Sequence, residues 1–184
     1  MAPWAGFTNK GGVDITAYLV GSWEELVAVA GAVNYQLGNC PEGVLEASKE
    51  FYRHEDTNFP RRVDLVIPIR AGYKFTGRLE EIHAQNVSLL LGQTLNVGVQ
   101  NYIYIGTLEQ SYFFSLRGRR TRVSDGVAIE FRIHKCIQSA LFSLASGDET
   151  QGSPLEVEGL DDTAAGYGGS AAAPLGWIYV PSMA

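Results

Sequence analysis

The chain has 184 residues, 46% hydrophobic and 18% charged, and a formal net charge of -6. That length suits one domain of roughly 100–200 residues, here 1–184, and the composition supports a packed core and excludes a disordered chain. The acidic balance argues against a protein that grips nucleic acid, since holding phosphate demands a basic footprint. Two cysteines, Cys40 and Cys136, make no disulfide framework and point to a reducing compartment. No apolar run approaches the ~20 residues that cross a bilayer, and no basic-then-apolar opening signals a secretory leader.

In chain order, "MAPWAGFTNKGG" reads as irregular, the start of an N-terminal arm over 1–20 anchored by Trp4 and Phe7. "VDITAYLV" and "LVAVAGAVNYQL" carry strand character, and a further strand is expected around Leu45 to Tyr52, ahead of a polar loop from Arg53 to Pro60. "VDLVIPIR" alternates Val63, Leu65, Ile67 and Ile69 against Asp64, Val66, Pro68 and Arg70. Pro68 lacks a backbone donor, which places this strand at an edge or a bulge. "GRLEEIHAQNVSLLLG" breaks the pattern. Leu79, Ile82, Leu89 and Leu90 at helical spacing predict a helix over about 79–91, with Glu80 and Glu81 in its first turn and Gly92 as a left-handed C-cap. His83 falls on its surface.

"NYIYIGTL" and "QSYFFSLRG" read as paired strands around a turn at Gly106 to Gln110. After a turn at Gly147 to Gly152 comes a short strand, "PLEVEGL". A small-residue loop at 163–174, "TAAGYGGSAAAP", is expected to be mobile, and "GWIYV" supplies a last strand. No fixed-period repeat is present.

"VAIEFRIHKCIQSALF" poses the chemical question, because His134 lies two residues before Cys136. On a strand, Val127, Ile129, Phe131 and Ile133 share one face, and Glu130, Arg132, His134 and Cys136 the other. A Cys–His catalytic pair draws its members and a third orienting group from distant parts of a chain. His54, His83 and Cys40 lack zinc-ligand spacing. The glycines around Gly168 lack the strand-then-helix setting of a phosphate loop, and the Asp161–Asp162 pair points apart on an extended chain. The pattern is that of a strand with a mixed polar face, and no catalytic residue, cofactor or metal is expected. "RGRRTR", with Arg117, Arg119, Arg120 and Arg122, reads as a solvated hairpin tip. Alternatively it is a charge clasp between subunits, reaching Glu156, Glu158, Asp161 and Asp162.

The order of these elements is similar to the major tail tube protein of long-tailed bacteriophages, related to the tubes of contractile tails and type VI secretion systems. The resemblance runs from Gly21 to Val180. It is carried by "SWEELVAVAGAVNYQL", "RRVDLVIPIR", "LEEIHAQNVSLLLG" with Asn86 and Gly92, "IEFRIHKCIQSALFSLASGD", "SPLEVEGLDD" and "PLGWIYV". It implies an antiparallel β-sandwich or barrel with one flanking helix and no enzymatic activity. Copies of the chain would form hexameric rings stacked into a hollow tube, the conduit for genome delivery. The implied partners are the chain itself, a tape measure protein, a tail terminator, and baseplate or distal tail proteins. DNA would pass without specific binding, and no membrane is involved. The implied location is the virion tail, after assembly in the host cytoplasm.

The family's ring-bridging loop falls on Arg53, His54, Glu55, Asp56, Thr57, Asn58 and Phe59. A wet wall facing DNA is expected at Glu130, Arg132, His134 and Gln138, opposite the apolar face of the same strand, because burying Glu130 unpaired costs several kcal/mol. The competing readings are a tail terminator or head–tail connector that forms a single ring, and a small hydrolase using Cys136 and His134.

Overall fold

Strand pairing dominates the computed structural model of the chain, which is mainly β, with one short helix among the described residues. It describes residues 4–10, 14–31, 33–55, 63–81, 83–92, 95–96, 102–103, 113–122, 125–139, 152–164 and 166–182; for 4–10, 14–21, 33, 53–55, 63–65, 85, 95–96 and 102–103 it describes the backbone alone. The elements are β1 (Trp4–Lys10), β2 (Asp14–Ala30), β3 (Val33–Glu55), β4 (Val63–Leu79), α1 (Ala84–Leu91), β5 (Leu95–Asn96), β6 (Tyr102–Ile103), β7 (Phe114–Thr121), β8 (Ala128–Gln138), β9 (Ser153–Leu160) and β10 (Gly176–Tyr179).

All the pairings are antiparallel, and they run β2–β3–β4–β9–β8–β7 and back to β2. Six strands therefore close into a barrel, with β1 added to β2 and β10 to β8. Closure is a solution to exposed sheet edges. The alternation explains the filling. Phe114 and Leu116 on β7, Ile129, Phe131 and Ile133 on β8, Leu155 and Val157 on β9, and Phe75 and Leu79 on β4 are all 0–1% exposed. Trp23 meets Phe131 edge-on at 4.7 Å and Phe75 at 6.1 Å, and Phe75 stacks on Phe131 at 5.2 Å. Two glycines make room for this aromatic plug: a Cβ on Gly43 would sit 2.2 Å from Trp23 Cδ1, and one on Gly118 2.1 Å from Phe131 Cε1. Arg120 lies over this plug, its guanidinium 5.4 Å from the Trp23 ring centre.

The first four strands outrun the barrel. Asp14–Val20 pairs with Val44–Glu50, and the far end of β3 pairs with Val63–Pro68. β9 joins β4 only from Lys74 onward, so among the described residues the other edge of 63–73 has no strand beside it. The result is a sheet projecting beyond the core.

Several sequence expectations change here. The irregular reading of "MAPWAGFTNKGG" is corrected at Trp4–Lys10, a strand that pairs with the start of β2. "LVAVAGAVNYQL" is two strands turning at Gly31, whose φ of 60° suits glycine. The helix is shorter than about 79–91. Leu79 stays in β4, paired with Ser153, so Glu80 and Glu81 precede the helix rather than occupying its first turn. Exposed His83 is its N-cap, and Gly92 closes it at φ 63°, ψ 30°. Tyr102–Ile103 pairs with Leu95–Asn96, whereas β7 pairs with β2 and β8. The turns at Gly106 to Gln110 and Gly147 to Gln151 lie outside the described residues. Pro68 meets its expectation twice over, on a one-sided stretch and beside a register shift that leaves Ile69 unmatched between Arg70 and Pro68. "PLEVEGL" and "GWIYV" form strands as expected.

Candidate functional site

β8 carries the residues singled out for chemistry and for a wet wall. Its ladder to β7 matches Ile133 with Leu116 and Cys136 with Phe114, three residues against two. This bulge shifts the alternation by one, so Cys136 turns inward, 0% exposed, and its Sγ donates to the Phe114 carbonyl at 3.0 Å. Burial pushes the thiol far above its usual pKa, away from the nucleophilic thiolate. Buried Cys40 is raised for the same first cause. The shared face expected for His134 and Cys136 is thus corrected, and with it the geometry a Cys–His pair would need.

The expected wall of Glu130, Arg132, His134 and Gln138 is not open either. Glu130 accepts from Arg117 at 3.0 Å and lies 4.0 Å from Arg119. Arg132 Nη2 donates to the Tyr167 carbonyl at 3.1 Å. His134 is only 4% exposed, its backbone N–H donates to Leu175 O at 2.9 Å, and its ring Nδ1 has no hydrogen-bond partner. Burial lowers the ring's pKa, Arg132 lowers it further, and Asp162 acts in the opposite direction. Gln138 is spliced into β9, donating to Pro154 O and accepting from Glu156 N at 3.3 Å each.

What roofs Arg132 and His134 is the small-residue segment. Asp162, 4% exposed, accepts the N–H groups of Tyr167 at 2.9 Å and Gly169 at 2.8 Å, and its own N–H donates to Pro174 O at 3.1 Å. One carboxylate therefore organises a turn-rich loop, where the sequence suggested a loose one. Gly168, at φ 94°, sits above the pair; a Cβ there would lie 3.2 Å from Arg132 Nη2 and 3.7 Å from His134 Nδ1.

"RGRRTR" is strand rather than tip, because the turn falls later, at Asp125–Gly126. Arg117 and Arg119 share Glu130, and Arg122 pairs with Asp125 and donates to Pro181 O at 3.2 Å. Glu156 pairs with Lys74 at 2.5 Å, and Asp161 accepts from the Thr163 N–H at 2.8 Å. Asp162 is spent inside its own loop, which removes it from the charge clasp. Exposed Glu158 stays on the surface.

Of the loop assigned to ring bridging, Arg53, His54 and Glu55 end β3, paired with β4, while Asp56, Thr57, Asn58 and Phe59 lie outside the described residues. The adjoining sheet was missed as a surface. Tyr52 is 52% exposed, Val66 50%, Ile67 44% and Ile69 64%. Val66 and Ile67 are successive, so apolar side chains stand in solvent on both faces. The signal was present in "LVIPI", an apolar run too continuous for a strand with one wet face.

Below this sheet a groove gathers Glu46, Glu50, Glu158 and Asp161 with Arg70 and Lys74. Among the described residues no three His, Cys, Asp or Glu side chains converge to hold a metal ion. No helix among them is long and apolar enough to cross a membrane. No protein-family model matches this chain, and no curated protein matches it.

Proposed function

We propose that this protein is a structural subunit that builds a phage-type tail tube from stacked hexameric rings of itself. The observation that carries the reading is the projecting β3–β4 sheet, which exposes Tyr52, Val66, Ile67 and Ile69 and, among the described residues, has no strand along the other edge of 63–73. An apolar sheet wet on both faces with an open edge is an aggregation hazard unless ordered partners cover it. Copies of the same chain, joined edge to edge, would cover it by main-chain pairing. The closed barrel behind it is filled by Trp23, Phe75 and Phe131, which suits a rigid building block. The groove with Glu46, Glu50, Glu158 and Asp161 against Arg70 and Lys74 offers an acidic wall, along which DNA slides rather than sticks. Placement in a virion tail, and contacts with tape measure, terminator and distal tail proteins, belong to the same reading.

Electron microscopy of the purified protein tests it. Long hollow tubes of stacked rings are expected. Single rings that never stack would favour a terminator or connector, and monomers at every concentration would overturn the reading.

A further inference from the structure

The loop from Asp162 to Leu175 is fastened to β8 at few points, and these converge on one buried imidazole. Arg132 holds the Tyr167 carbonyl, the His134 backbone holds Leu175 O, and Asp162 ties the loop to itself through Tyr167 and Gly169. His134 lies beneath, 4% exposed, with Nδ1 unpartnered. We infer that this loop is an acid-sensitive clasp, closed over a neutral His134 and released when that ring takes up a proton.

Among the described residues, the charges facing the ring are Arg132 from its own strand and Asp162 from the loop; β10 contains no charged residue, and the segment leading into it offers the Leu175 carbonyl to the His134 backbone. Protonation would set a buried cation beside the half-buried guanidinium of Arg132, a costly arrangement without a dedicated anion. Among the described residues Asp162 is the carboxylate that faces the ring, and its Oδ2 already accepts both loop N–H groups. Turning Asp162 toward the imidazolium surrenders the loop's own fastening; leaving it in place compensates the cation less than burial and Arg132 oppose it. Either route loosens the loop.

The sign follows from the lowered pKa of the closed state. Above the ordinary imidazole value, of about 6.5, open and closed loops are both neutral and closure is at full strength. As pH falls below it, the open loop binds a proton that the closed loop refuses, and closure weakens until the depressed value is passed. Opening would uncover two adjacent cations, Arg132 and the imidazolium of His134. The inference does not depend on the tube reading.

Hydrogen exchange at the Tyr167 and Gly169 amides, corrected for intrinsic rates and compared at about pH 7.5 and about pH 5, tests it. Protection in the full chain should drop by roughly tenfold for each unit by which closure depresses the ring's pKa. In His134→Gln, whose side chain stays neutral, the pH dependence should vanish. An equal drop in both proteins, or none in the native chain, overturns the clasp. Direct NMR titration of His134 in the unaltered protein guards against a variant that fails to fold: a ring titrating at or above the ordinary value also overturns it.

Discussion

Cys136 and His134 are neighbours in sequence that the fold sends in opposite directions. The thiol is shut inside against the Phe114 carbonyl, and the imidazole is roofed on the outside. Since the thiolate is the reactive form, a raised thiol inside a closed core should be inert. We expect neither Cys136 nor Cys40 to react with a thiol reagent near pH 8 in the native protein, and both to react once it is unfolded in guanidinium; Ellman's assay reads the difference. Native labelling of Cys136 would mean that the β7–β8 seam opens far more readily than its pairing suggests.

Under the proposed tube reading, the projecting half of β3 and β4 is the element on which assembly would turn. Ile69 is 64% exposed and unmatched in the ladder, so Ile69→Asp should change folding stability by less than about 0.5 kcal/mol, as surface substitutions commonly do. The same change plants a charge in an apolar contact surface. It should leave a folded protein that no longer polymerises, which urea denaturation and size-exclusion chromatography together would establish. Tubes of normal length from that variant would move the contact elsewhere. This element also shows where sequence reading succeeds and where it stops. Pro68 forecast an edge or bulge because a missing N–H is a local property. Ile129, Phe131 and Ile133 were legible as core because alternation is local too. The bulge before Cys136 was not legible, since an extra residue changes nothing in composition yet reverses every face after it. Leu79 and Ile82 kept helical spacing, but pairing of Leu79 with Ser153 overrode it. The loop on Asp162 looked loose because its order comes from one carboxylate accepting backbone N–H groups, which a run of small residues does not announce.

At the scale of the whole molecule, the barrel is a shell around an aromatic centre. Trp23, 0% exposed, touches both Phe75 and Phe131, and the glycines that accommodate it give the surrounding strands little means of collapsing inward. Trp23→Ala should therefore cost about 3–5 kcal/mol, a large part of the roughly 5–15 kcal/mol typical of a domain. Trp23→Phe should cost less. Urea unfolding followed by circular dichroism measures both, and a loss under about 1 kcal/mol for the alanine variant would show that the plug is not what holds the barrel together.

The closing seam between β2 and β7 has a further consequence, for how the chain reaches this state. Glu25 pairs with Arg119 and Val29 with Ser115, so this edge of the ring joins residues separated by about half of the chain. Hairpins such as β2–β3 and β7–β8 can nucleate from neighbours in sequence, whereas this seam must wait until everything between has condensed. High contact order of that kind sets folding on a scale on the order of milliseconds to seconds rather than microseconds. During that interval both edges of the unclosed sheet stand open, at the same time as the exposed apolar strands that the tube reading assigns to contact between copies. Productive folding therefore favours dilute, unhurried synthesis, in which each barrel shuts before its open edges encounter those of another.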